Sequence, residues 1–309
     1  MSALTDAAAD YLRLRNRLGH ELTEYHRLLP RFVAFLDDAG LQTVTVAAAL
    51  AWVNAPDVDP SSTVAAHRMT IARGFARHMA GLDPRTEIPP FGLVGSHRRR
   101  HEPFIFSPDD IDALITGAQE LRTRFASATH ETVIGLLAAT GMRVGEAIRL
   151  DRGDVAETDA TLTIRESKFG KSRIVPLQAS VLVALQRYAR LRDGVHRQPT
   201  TGSFFVSTRG NRMVYPTIHA VFRNLCDSAG IGVDATSPPR IHDLRHTFAV
   251  RTLLGWYRAG EDVDARLPVL STYLGHRDPR WTYWYLSAAP ELLAMAAQRL
   301  ETAKKASAR

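Results

Sequence analysis

Four short stretches, far apart in the chain, carry side chains suited to handling a phosphate. They are Thr140-Gly141-Met142-Arg143-Val144-Gly145-Glu146, Lys168-Phe169-Gly170-Lys171-Ser172-Arg173, His242-Asp243-Leu244-Arg245-His246, and Leu274-Gly275-His276 with Tyr285 nine positions further on. In a helix, residues i and i+3 share a face, so His242 and Arg245 can be aimed at one spot. A guanidinium beside a titratable imidazole is a natural partner for an anionic phosphate. Singly, each piece has an ordinary explanation: histidines at a helix start, a surface Arg143–Glu146 pair, a polar hairpin lysine, and an aromatic run Trp281-Thr282-Tyr283-Trp284-Tyr285 that fills a core. A zinc reading also exists, because His242 and His246 are i, i+4 as in the HExxH of metalloproteases. Asp243 speaks against it, being shorter than the glutamate that serves as base there, and so does Arg245, whose charge would sit beside the metal.

The elements that must position these residues fall into two groups. Residues 1–90 read as a helical bundle: Leu12, Leu18 and Leu22, then Leu28, Leu29, Phe32, Phe35 and Leu36, recur at helical spacing until Asp37-Asp38-Ala39-Gly40 breaks the pattern. Two more helices are predicted over 46–54 and 61–80. The stretch 91–104, with its run His97-Arg98-Arg99-Arg100-His101, has no periodicity and reads as a linker to a second unit, 105–309. That unit opens on a capped helix at Ser107-Pro108-Asp109-Asp110. An apolar helix over 131–139 follows, then a hairpin of strands 161–165 and 172–176 around Phe169-Gly170, and helices over 179–192, 215–229, 241–254, 267–273 and 291–300. The fold expected is mainly α, with a small antiparallel β-sheet in the C-terminal domain.

Composition agrees with two folded units. The 309 residues are 45% hydrophobic and 23% charged, close to the globular average, which excludes a disordered or fibrous chain. Basic residues outnumber acidic ones 39 to 32, and all but Lys168, Lys171, Lys304 and Lys305 are arginine, the residue whose planar fork matches phosphate. A polyanionic partner fits this balance. The single cysteine, Cys226, forbids an intramolecular disulfide and a multi-cysteine zinc site, as expected of a reducing cytoplasm. No apolar run approaches the ~18 residues of a membrane span, so no membrane role is expected.

Taken together, the four stretches resemble the tyrosine recombinase (phage integrase) family. In that family TGxRxxE carries the first catalytic arginine, K-x-G-K-x-R-x-x-P-L a lysine on a hairpin, HxLRHTFA a histidine and the second arginine, and LGH precedes the nucleophilic tyrosine by nine. The resemblance therefore implies catalytic roles for Arg143, Lys168, His242, Arg245, His276 and Tyr285. It also implies an N-terminal SAM-like core-binding bundle that, with the catalytic domain, closes a clamp on double-stranded DNA. The connection Gly255-Trp256-Tyr257-Arg258-Ala259-Gly260-Glu261-Asp262-Val263-Asp264 is longer than in compact members. Such connections, and an ending like Tyr285-Leu286-Ser287-Ala288-Ala289-Pro290-Glu291, occur in integrases borne by transposons and plasmids.

The implied chemistry is strand cutting without metal or ATP. Arg143 and Arg245 neutralise the non-bridging oxygens, and Tyr285 attacks phosphorus to give a 3′-phosphotyrosyl link. Lys168 protonates the leaving 5′ oxygen, His242 assists the tyrosine proton or binds the phosphate, and His276 donates to a non-bridging oxygen. Tyr283 is the rival nucleophile, but on a helix it lies about 160° around from Tyr285. By resemblance, a C-terminal helix over 290–302 docks on a neighbour to build a homotetramer on two DNA sites, with or without sister recombinases. The competing readings are a type IB topoisomerase, a chromosome-dimer-resolving recombinase, a DNA-binding protein with a decayed site, and the metallohydrolase.

Overall fold

Apolar residues gather into three clusters, one within residues 1–101 and two within 102–309, the two compact units into which the chain divides. The computed structural model describes residues 2–20, 22–58, 63–94, 102–167, 171–198, 200–276, 278 and 280–288. The first unit is a bundle of α1 (Ala3–Arg17), α2 (Thr23–Asp38), α3 (Val46–Val53) and α4 (Val64–Met79). Its core stripe on α1 runs through Leu4, Ala8 and Tyr11, with Leu12 packed against it partly buried; of the leucine spacing, Leu18 falls outside, at 66% exposed. On α2 the expected Leu28, Leu29, Phe32 and Leu36 are buried. Arg68 on α4 is buried over the Trp52 ring, and its guanidinium is matched by Asp57 and by the Trp52 carbonyl.

The second unit is mainly helical. It begins with α5 (Pro108–Gln119), whose capping box, Ser107 with Asp110, is the one legible in the sequence, and continues through α6 (Arg124–Thr140) and the short α7 (Val144–Arg149). A 3₁₀ turn (Arg152–Asp154) leads into the strands β1 (Val155–Ala156), β2 (Thr161–Ser167) and β3 (Lys171–Pro176), an antiparallel sheet of order β1-β2-β3. Alternation sends Leu162, Ile164 and Val175 into the core. Register pairs Leu162 with Val175 and Ile164 with Arg173. There follow α8 (Ala179–Val195), α9 (Tyr215–Ser228), α10 (Asp243–Arg258), α11 (Val263–Leu274) and α12 (Arg280–Ala288).

Three boundaries depart from the sequence reading. α6 starts seven residues before the apolar run, capped by Thr123, because its buried face already begins at Phe125 and continues through the polar Ser127, Thr129 and His130, which an apolar pattern does not register. α10 and α11 absorb the long 255–264 connection as extra helix at each side, with Asp262 capping α11. The segment bearing Tyr285 is itself helical. Lys168, residues 95–101 of the expected linker and the expected helix over 290–302 lie outside the described residues. Among the described residues, no helix is long and apolar enough to cross a membrane.

Candidate active site

The site is built where three helix ends meet. Gly141, in the left-handed region at φ 61°, ends α6; Gly275, at φ 67°, ends α11; and α10 starts at His242. The last carbonyls of a helix have no partner within it and carry its negative dipole end. Three guanidiniums take up consecutive carbonyls at the end of α11. Arg173 Nε donates to Tyr273 O (2.8 Å), Arg245 Nη2 to Leu274 O (2.7 Å) and Arg143 Nη2 to Gly275 O (3.2 Å). Arg245 Nη1 also donates to Gly141 O (2.9 Å), so this side chain, 2% exposed, bridges the ends of α6 and α11.

Glu146 sets the other side of the cluster. Its carboxylate accepts from the Arg143 backbone N–H and Nη1 (2.8 Å each), and from Arg173 Nη1 and Nη2 at 3.0 and 2.8 Å. Burial pushes this carboxyl up, but the hydrogen bonds and charges of Arg173 and Arg143 outweigh it and bring it down to about 2. Three guanidiniums against one carboxylate leave the cluster with surplus positive charge, and Arg143, 27% exposed, carries that charge toward solvent.

Tyr285 joins the cluster from α12, packed with Leu253, Leu270 and Leu274 in the smaller core of this unit. It is 2% exposed while Tyr283 is 46% exposed, so α12 puts the two phenols on opposite faces, as the helical spacing predicts. Burial pushes the Tyr285 phenol up; the Arg245 and Arg143 charges pull the other way. The phenol oxygen meets His246 Nδ1 at 3.1 Å. The His276 ring lies nearly parallel to the Tyr285 ring, with centroids 6.1 Å apart, and its Nδ1 is 2.8 Å from Thr282 Oγ1. Burial, followed by neighbouring positive and imidazole groups, holds His246 and His276 each at about 3, which leaves both rings neutral at pH 7. Desolvation, then the charges of Arg245, Arg143 and Arg240, lower His242 to about 4. Burial, then Arg143, lowers Arg245 to about 10, still fully protonated at neutral pH.

Of the sequence-predicted residues, Arg143, Arg245, His276 and Tyr285 are thus brought together, with His242 at the edge of the group, its ring 4.9 Å from that of His246. Lys168 lies outside the described residues. The imidazole touching the phenol is His246, not the expected His242. Residues 242 and 246 share a helix face, and the spacing that suggested zinc was the available signal for this contact. Among the described residues, no three His, Cys, Asp or Glu side chains are placed to share a metal ion, so the His242–His246 pair lacks a third protein ligand. Arg173 is the fixed arginine of the K-x-G-K-x-R-x-x-P-L stretch, which marks the position but not its role, and Thr282, in an aromatic run, carries no signal of its own.

Residues 105–291 match the model of the phage integrase family. The chain belongs to this family. The integrase is 40% identical to the putative integrase/recombinase y4rB of Sinorhizobium fredii, over 97% of this chain and 98% of that protein. It is 30% identical to tyrosine recombinase XerD of Mycobacterium tuberculosis, over 89% and 90% of the two chains. The fold is shared with the Tn1549 transposon integrase, solved in complex with transposon right end DNA, at a TM-score of 0.68 and 17% identity over 96% of this chain and 98% of that one. The integrase is therefore a mostly helical tyrosine recombinase, an enzyme class that breaks and rejoins DNA.

Proposed function

We propose that this integrase cuts and rejoins duplex DNA through a covalent 3′-phosphotyrosyl link at Tyr285, in the service of a mobile element. What supports the chemistry is one observation: Arg143 and Arg245, 102 positions apart in sequence, donate to the consecutive carbonyls of Gly275 and Leu274 at the end of α11, in the same cluster that buries Tyr285. A phosphodiester resists attack because its own oxygens are negative, so guanidiniums fixed beforehand around the reacting phosphorus lower the barrier. Each guanidinium has five N–H donors, and Arg245 spends two of them on the carbonyls of Gly141 and Leu274. The carbonyls thus orient the fork, and the remaining donors serve the phosphate. His276, with Nδ1 committed to Thr282, keeps Nε2 for a non-bridging oxygen, and Lys168 supplies the proton for the departing 5′ oxygen. In this mechanism neither metal nor ATP takes part, since the phosphotyrosyl bond stores what resealing needs.

The identity to y4rB, and the transposon DNA in the Tn1549 integrase structure, support a mobile-element role over chromosome-dimer resolution. The partner proposed is double-stranded DNA, with four protomers on two sites in the cytoplasm. The test is adduct formation on nicked duplex oligonucleotides tiled across the DNA flanking the integrase gene, read on a denaturing gel. Wild type gives a protein–DNA band, and Tyr285→Phe gives none while still shifting the duplex on a native gel. A normal adduct in Tyr285→Phe would refute the assignment.

A further inference from the structure

We propose that His246 receives the phenol proton of Tyr285 as the tyrosine attacks phosphorus and returns it when the strand is resealed. The inference rests on the recombinase reading above and adds to it the identity of the general base.

Geometry carries it. Nδ1 of His246 is 3.1 Å from the Tyr285 hydroxyl, within the range for direct proton transfer. The ring is held in place by the edge of His242 at 4.9 Å and by Trp284 at 5.6 Å. Of the other candidate bases, the Glu146 carboxylate is committed to Arg143 and Arg173 and His276 Nδ1 to Thr282, its ring lying nearly parallel to the phenol, while His242 meets the His246 ring, and it is His246 that meets the hydroxyl. The groups that face His246 are His242 and Arg245 on its own helix, Arg240 just before it, His276, and Tyr285 and Trp284 on α12. Burial, then His242 and Arg245, hold the imidazole at about 3 in the free protein, neutral but weakly basic; a negative phosphate seated against Arg143 and Arg245 offsets that charge, and Nδ1 already lies on the phenol. The phenol needs this base, because burial opposes spontaneous ionisation.

The step balances as follows. The Tyr285 Oη–P bond forms and the P–O5′ bond breaks. The phenol proton passes to His246 Nδ1, Nε2 keeping its own proton, and the departing O5′ takes a proton from the leaving-group acid. Resealing runs the same transfers backwards.

The test uses the full chain and the nicked tiled duplexes. His246→Asn places an amide near the Nδ1 position without a transferable site, and is expected to slow adduct formation at pH 7 by about 10²-fold or more while duplex binding is unchanged. Its rate should then climb by about tenfold per pH unit up to pH ~9, where the wild-type rate is flat, because hydroxide takes over the proton. Replacing Tyr285 by 3,5-difluorotyrosine, a more acidic phenol, should restore most of the lost rate in His246→Asn. Wild-type kinetics in His246→Asn, or a slow variant that neither higher pH nor the fluorinated phenol rescues, would overturn the proposal and leave the recombinase reading standing. Absence of any adduct with wild type, or an equal adduct with Tyr285→Phe, would overturn that reading itself and this proposal with it.

Discussion

Glu146 holds two guanidiniums with one carboxylate, and its removal exposes what that arrangement does. Breaking a buried ion pair from one side strands the remaining charge, at a cost of roughly 3–5 kcal/mol. Glu146→Gln is therefore expected to lower unfolding free energy by about 3 kcal/mol in chemical denaturation, and to slow cleavage because Arg143 loses its holder. The pH dependence has a definite sign. A carboxyl lowered to about 2 in the folded state stabilises fully above its unfolded value of about 4.3, and that contribution disappears as pH falls between the two. Wild type should lose more stability across that window than Glu146→Gln, in which the lowered carboxylates of Asp57, Asp83, Asp193 and Asp278 still titrate; parallel curves would mean the Glu146 carboxylate is not held as described. At this scale the sequence was most legible where residue type announces chemistry, as at Arg143, Arg245, His276 and Tyr285. It is least legible where two similar side chains compete for one contact, as with His242 and His246, of which the second meets the phenol. That choice is made by α12 packing onto α10, a contact between residues 39 positions apart.

The helix ends do as much as the side chains. Gly275 must adopt a positive φ to end α11, and a Cβ there would come within 2.8 Å of Arg173 Nη1, a guanidinium already locked between Glu146 and the Tyr273 carbonyl. Gly260 also has a positive φ, at 73°, but open space where a Cβ would sit. Gly275→Ala and Gly260→Ala should each lose about 1–2 kcal/mol from backbone strain. Gly275→Ala should in addition slow adduct formation, while Gly260→Ala should leave the rate unchanged. Equal rates in both variants would show that Arg173 does not transmit to the site. Periodicity found the long amphipathic helices of the second unit, and alternation found the hairpin. The six-residue α7 and the two-residue β1 escaped because elements so short show no period. α12 escaped because its aromatic run reads equally as strand or helix.

At the scale of the whole molecule, the proposed chemistry requires Arg143, Arg245 and Tyr285 to act on one phosphorus. The division into a helical unit and a mostly helical catalytic unit was visible in sequence as a change of texture around the linker. The convergence of the site on one phosphorus is implied by the family resemblance alone; nothing local to residue 143 or 245 states that both meet the end of α11. A direct test is a crystal structure of the integrase with orthovanadate and two strands abutting at its cleavage site, where vanadium takes the place of phosphorus in its five-bonded geometry. The expected result is vanadium bonded to Tyr285 Oη, with the Arg143 and Arg245 guanidiniums on its equatorial oxygens and four protomers around two duplexes. Vanadium bonded to another side chain, or seated out of reach of either guanidinium, would contradict the account.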